Sequence, residues 1–144
     1  MVMPSASRHL RALAAAIFAV TFAGSAQAGH DYEEPIEFVT QEQVKKLFDI
    51  GEDVTFIDLR NPEDFAKGHL PNAKSIPVES LGKRWSEIPR SGRVVLYCAC
   101  PPGQRDETFA FALMRQEKYR NVTVLEAGYA GWVKRGFPVE TASR

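Results

Sequence analysis

The chain has 144 residues, of which 44% are hydrophobic and 25% charged, with 18 basic and 18 acidic side chains and a formal net charge of zero. Balanced charge without a long run of one sign excludes the basic footprint of a nucleic-acid or anionic-membrane binder. Two cysteines are too few for the disulfide framework of a small secreted domain, so the fold must rest on a hydrophobic core.

The N-terminus reads as a leader. Arg8, His9 and Arg11 precede the apolar stretch Ala12–Val20, and Ala26-Gln27-Ala28 supplies a small-residue cleavage site. Thr21, Gly24, Ser25 and Gln27 interrupt the apolar run short of the roughly 20 residues a membrane span needs. Residues 1–28 are therefore expected to be a signal peptide cleaved after Ala28. The mature chain is expected in the periplasm, with no stable membrane association. The leader removes Arg8 and Arg11 but no acid, so the mature chain is slightly acidic. Residues 29–36 read as a polar lead-in and 37–144 as one domain. His30 lies in the lead-in beside Asp31, Glu33 and Glu34; one histidine among flexible carboxylates fixes no metal geometry.

Thr40-Gln41-Glu42-Gln43 has the form of a capping box and opens a helix with Val44, Leu47 and Phe48 on its apolar face, ended by Gly51. Val54–Asp58 is short and β-branched, as a strand buried on both faces should be. Asn61 caps a helical turn with Pro62 at its first position, and Phe65 is expected to pack inward. After the turn Gly68–Ala73, Lys74–Val78 reads as a strand and Ser80–Ile88 as a helix burying Leu81 and Trp85. Ser91-Gly92 turns the chain into the strand Val94–Tyr97. Thr108–Tyr119 is expected to be a helix with Phe109, Ala110, Ala112, Leu113 and Met114 at core spacing. Val122–Leu125 is the next strand, and Gly128–Val133 enters a final helix ended by Gly136 and Pro138.

Strands alternating with helices through short loops predict an α/β domain with a mainly parallel sheet and helices on both faces. Ligands bind such sheets at the carboxyl ends of the strands. Both cysteines lie at such an end, in Val94-Val95-Leu96-Tyr97-Cys98-Ala99-Cys100-Pro101-Pro102-Gly103-Gln104-Arg105. A thiol attacks only as thiolate, which needs local positive potential. Inward-pointing N–H groups of the loop, the following helix N-terminus and the Arg105 guanidinium can each supply it. Strand, cysteine, loop, arginine and helix together suit attack on an anionic electrophile.

Four pieces, in order from about Glu37 to Glu140, resemble a single-domain rhodanese, a sulfurtransferase. "FIDLRNPEDFAKGHLPNA" (Phe56–Ala73) is similar to the family's Asp-x-Arg after a strand followed by Gly-His-x-Pro-x-Ala. "VVLYC" is similar to the strand into its catalytic cysteine, "GQR" to the Gly-x-Arg of its active-site loop, and "AGYAGWVKRGFPV" to its terminal signature. The resemblance implies a single rhodanese-like α/β domain with a central, mainly parallel five-stranded sheet flanked by helices on both faces. It also implies a cysteine that takes sulfane sulfur from a small anionic donor of the thiosulfate or polysulfide class and holds it as a persulfide. A thiophilic acceptor, a thiol or a redox protein, then receives it, and no metal or other cofactor is needed. On this implication Arg105 binds the donor, with Ala99, Gly103 and Gln104 contributing loop N–H groups. Asp58, Arg60 and His69 read as supporting residues: a loop-anchoring carboxylate, an ion pair of Arg60 with Glu63, and a hydrogen-bonded turn histidine. Trp85 and Trp132 read as core.

Two cysteines compete for the nucleophile. Counting the family's four intervening residues back from Arg105 selects Cys100, whereas direct continuation from the strand selects Cys98. Pro101 and Pro102 have no N–H, so a cradle centred on Cys100 would lose two donors. That favours Cys98, with Cys100 as rival. Attack of Cys100 on a Cys98 persulfide would release sulfide and leave a disulfide. The spacing to Arg105 disfavours protein-phosphatase chemistry, which places five residues between cysteine and arginine, and arsenate reduction is equally remote. A non-catalytic module binding sulfur or Cu(I) through the cysteine pair, or docking a partner, is the alternative; Arg105 argues against a cation site.

Overall fold

The computed structural model describes residues 35–99 and 106–142. The expected leader, lead-in residues 29–34, and four expected site residues, Cys100, Gly103, Gln104 and Arg105, lie outside the described residues.

β1 (Phe38–Val39) is a two-residue edge strand that sequence reading did not separate from its surroundings. α1 (Gln41–Asp49) starts at the expected capping box: Gln43 N–H donates to Thr40 Oγ1 at 3.2 Å, and Thr40 N–H to Gln43 Oε1 at 3.0 Å. β2 (Val54–Asp58) and α2 (Pro62–Lys67) follow, the latter capped by Asn61 Oδ1, which accepts from Asp64 N–H at 2.8 Å. Phe65 is only half-buried and stacks on the His69 ring instead of entering the core.

β3 is confined to Lys74–Ser75, shorter than expected, because Pro77 has no N–H to continue a ladder. The expected helix over Ser80–Ile88 is replaced by two 3₁₀ segments, Val78–Lys83 and Trp85–Glu87. Gly82 weakens a continuous α-helix there, and three-residue closures take over, with Arg84 N–H donating to Leu81 O and Ile88 N–H to Trp85 O, both at 3.1 Å. Leu81 is buried as expected, whereas Trp85 is only partly so.

β4 (Arg93–Tyr97), α3 (Asp106–Gln116), β5 (Val122–Leu125) and α4 (Gly128–Lys134) complete the order. The five strands run parallel in the order β1-β5-β4-β2-β3. β2 and β4 pair along their whole length, Val54 opposite Arg93 and Asp58 opposite Tyr97.

Alternation along the strands divides the core into two layers. Ile57, Val94, Leu96, Val122 and Val124 pack with Ala110, Phe111 and Met114 of α3 on one face. Phe56, Val95, Tyr97 and Leu125 pack with Val44 of α1 and Trp132 of α4 on the other. The expected face of α3 is corrected: Phe109 is 57% exposed and Ala112 is also exposed, whereas Phe111 is buried. At 100° per residue, 110, 111 and 114 form one stripe, and 109 and 112 fall on the other side. Trp132 is fully buried, as expected, and donates its indole N–H to Pro138 O at 2.8 Å.

Candidate active site

Register places the ends of β2 and β4 side by side, with Leu59 N–H donating to Tyr97 O at 3.0 Å. Asp58, Arg60, Cys98 and Ala99 therefore leave the sheet at one carboxyl edge, where α/β folds bind ligands.

The Cys98 backbone is clamped from the far end of the sequence. Its carbonyl accepts from Tyr129 N–H at 2.8 Å and packs against Gly128 so closely that a β-carbon there would overlap the carbonyl oxygen. Ala127 and Gly128 both adopt positive φ, +54° and +49°, which turns the chain sharply between β5 and α4. Gln41, 1% exposed at the start of α1, braces this turn by donating Nε2–H to Glu126 O and, at 3.2 Å, to Gly128 O. "AGYAGW" is thus a cradle for the cysteine's backbone.

The Cys98 side chain is 5% exposed and belongs to the apolar layer of α3. Its sulfur is disulfide-bonded in this structure. Oε2 of Glu107, in the first turn of α3, lies 2.9 Å from Sγ; a reduced thiol there donates its S–H to that oxygen. Cys98, the exposed Ala99, Glu107, Glu126 and Gly128 line a cavity of about 220 Å³. Glu107, Gln41 and Tyr129 were not singled out from sequence. The only signal for Glu107 was an acidic first turn directly after the cysteine loop.

Asp58 and Arg60 form a buried pair: Nη2 to Oδ2 at 2.6 Å and Nε to Oδ1 at 2.9 Å, with Asp58 Oδ1 also accepting Arg60 N–H at 3.0 Å. The expected Arg60–Glu63 pair is not formed, because a wholly buried Asp58 requires a countercharge and Glu63 lies exposed. Burial opposes the Arg60 charge, but the hydrogen bonds and charge of Asp58 outweigh it and hold the guanidinium above its ordinary pKa. Arg60 also donates to Gly68 O at 2.6 Å and lies 3.9 Å from the Tyr129 ring centroid. Asp58 thus holds Arg60 against the Tyr129 ring at one edge of the cradle.

His69 is a buried turn residue: Nδ1 is 2.8 Å from Phe65 O, the two rings stack at 3.7 Å, and Nε2 is 3.8 Å from Glu140 Oε2. Its backbone bridges Glu140 in both directions at 2.8 Å. These contacts tie the turn after α2 to the C-terminal segment.

The family model for the rhodanese-like domain matches residues 40–135. A sulfurtransferase from Allochromatium vinosum is 36% identical over 88 residues, covering 61% of this chain and 79% of that one. An HTH-type transcriptional regulator from Mycobacterium tuberculosis is 28% identical over 112 residues, 74% of this chain but only 46% of its own length, so the chain spans less than half of that relative. Among solved structures, a rhodanese-like domain protein from Staphylococcus aureus superposes with a TM-score of 0.64 at 21% identity, covering 75% of this chain and all of that one. A thiosulfate sulfurtransferase from Pseudomonas aeruginosa gives 0.65 at 22%, covering 75% of this chain and 21% of that one. At these identities the structures attest the fold, and the sequence match extends over the strand-end cysteine and its cradle: the chain belongs to the rhodanese-like domain family.

Proposed function

We propose that the protein is an exported sulfurtransferase that carries sulfane sulfur as a persulfide on Cys98. Sulfur transfer is the chemistry of its family and of its named relative from Allochromatium. The observation that carries the assignment to Cys98 is the cradle: Gly128 and Tyr129 fix this residue's carbonyl while its sulfur faces the small cavity at the sheet's carboxyl edge. Fixing the backbone beside a reacting atom is how a site lowers the entropic part of a barrier.

In the first half-reaction the Cys98 thiolate attacks the outer sulfur of an anionic donor of the thiosulfate or polysulfide class. The donor's S–S bond breaks, and sulfite or a shorter polysulfide leaves with the electron pair. In the second, an acceptor thiolate, from a small thiol or a redox protein, attacks the outer sulfur of the persulfide and displaces the Cys98 thiolate. No net oxidation occurs. Arg105, one residue before α3, is assigned to donor binding, together with N–H groups of Ala99, Gly103 and Gln104. The disulfide at Cys98 must be reduced by a thiol before the sulfur can act.

Reduced protein exposed to thiosulfate or polysulfide should gain the mass of one sulfur atom on the peptide containing Cys98. Cys98→Ser should abolish both this adduct and turnover, whereas Cys100→Ser should keep the adduct. An adduct that survives Cys98→Ser and disappears in Cys100→Ser would transfer the role to Cys100. Export follows from the basic, apolar and A-x-A segments of residues 1–28, and protein recovered from periplasm should begin at Gly29.

A further inference from the structure

We propose that Glu107 is the proton carrier of the site, taking the proton from the Cys98 sulfur as sulfur is loaded and returning it as sulfur is passed on. The inference rests on the persulfide reading above and adds a catalytic residue to it.

Three observations carry it. Oε2 of Glu107 is 2.9 Å from Sγ, within direct proton-transfer distance of the atom that is nucleophile in one half-reaction and leaving group in the other. Sγ belongs to a residue only 5% exposed and packed with Phe111 and Ala110, so bulk water is a poor proton acceptor there. Among the described residues, the titratable groups that line the cavity with Cys98 are Glu107 from α3 and Glu126 from the turn after β5, both acidic. On reduction the Cys98 thiol has a carboxylate oxygen as its contact, so the proton it must lose before attack has an acceptor at hand. A carboxylate in the first turn of α3 also favours the helix macrodipole. That role explains its position on the helix but not its contact with the sulfur.

The balance closes without an external acid or base. On loading, Cys98–SH gives its proton to the Glu107 carboxylate, Sγ bonds to the donor's outer sulfur, and sulfite departs with the electrons of the broken S–S bond. On discharge, the acceptor thiolate bonds to the outer sulfur, the bond to Sγ breaks, and Sγ keeps the electron pair and takes the proton back from Glu107. The enzyme returns to its starting protonation state, and the acceptor leaves as a persulfide anion.

The test compares thiol-reduced wild-type protein with Glu107→Gln and Glu107→Asp. Positioned acid–base groups contribute about 10²- to 10⁴-fold, so Glu107→Gln should lower kcat for transfer from thiosulfate to a thiol by at least ~10²-fold, with little change in donor KM. Glu107→Asp should recover part of the loss. In a Cys100→Ser background, the pH profile of Cys98 alkylation by iodoacetamide should move to lower pH in Glu107→Gln, because a neutral amide does not hold the thiol proton. A purely structural role would leave that profile in place. An unmoved alkylation profile overturns the proposal whatever happens to kcat, and so does an unchanged kcat in a protein that turns over. Turnover surviving Cys98→Ser would instead overturn the persulfide reading, so the two failures are distinguishable.

Discussion

Tyr97 joins the core to the site in a single side chain. It ends β4 one residue before Cys98, is wholly buried, and its hydroxyl accepts Leu70 N–H at 3.2 Å. Its ring stacks on Tyr129, the residue whose N–H holds the Cys98 carbonyl. Burial, and then the nearby charge of Asp58, push the phenol well above its ordinary pKa. The folded state therefore keeps this proton where the unfolded chain has already released it. The associated stability is fully present below the ordinary phenol value of about 10 and is lost as pH rises beyond it. Tyr97→Phe should remove that alkaline decline. It should also cost about 1–3 kcal/mol at neutral pH, since Leu70 N–H loses its acceptor in the interior. Urea unfolding midpoints followed from about pH 8 to about pH 11 check both parts; an alkaline decline as steep in the variant as in wild type refutes the first.

At the scale of elements, α3 matters most, because it carries Glu107 to the sulfur while its next turn packs on the sheet. Its buried stripe is Ala110, Phe111 and Met114, and Phe109 stands out from the surface. Sequence periodicity placed Phe109 inside, because "TFAFALM" offers apolar residues on almost every side and several phases fit equally well. Mutation separates the phases: Phe111→Ala should cost about 3–5 kcal/mol, and Phe109→Ala less than about 0.5 kcal/mol. Equal losses in denaturant titrations would show that the exposed ring is not idle. Other elements were legible where local chemistry was strong. The capping box at Thr40, the Asn61-Pro62 start of α2 and the β-branched runs of β2, β4 and β5 each carry their own signal. β1 was not, since two residues pairing at a sheet edge leave no periodicity to read; β3 was read as a strand, but over Lys74–Val78 where only Lys74–Ser75 pairs.

At the scale of the whole molecule, the candidate site is assembled from segments that sequence reading finds singly. The strand-end cysteine, the Asp58-x-Arg60 motif and the glycine-rich turn were each visible as short patterns, although Arg60 was expected to pair with Glu63 and pairs with Asp58. What joins them was not visible, because the joining contacts are long-range. Gln41 reaches Glu126 and Gly128 across 85 and 87 residues, and nothing local marks it as different from any other polar residue at a helix start. The cradle therefore depends on α1 docking beside α4, and a defect at Gln41 should be felt at Cys98. Gln41→Leu leaves two inward carbonyls without their donor and should cost about 1–3 kcal/mol. Gly128→Ala forces a β-carbon onto the Cys98 carbonyl at a positive φ, which displaces the same turn. Once either change has shifted the turn, the other has less left to disrupt. The double variant should then be less destabilised than the sum of the singles, by at least about 0.5 kcal/mol, beyond the scatter expected of independent sites. Sulfur transfer should fall in each single variant in parallel with displacement of the cradle. Strict additivity in the denaturant cycle, with transfer intact in Gln41→Leu, would mean that Gln41 holds the helix pair together without holding the cysteine.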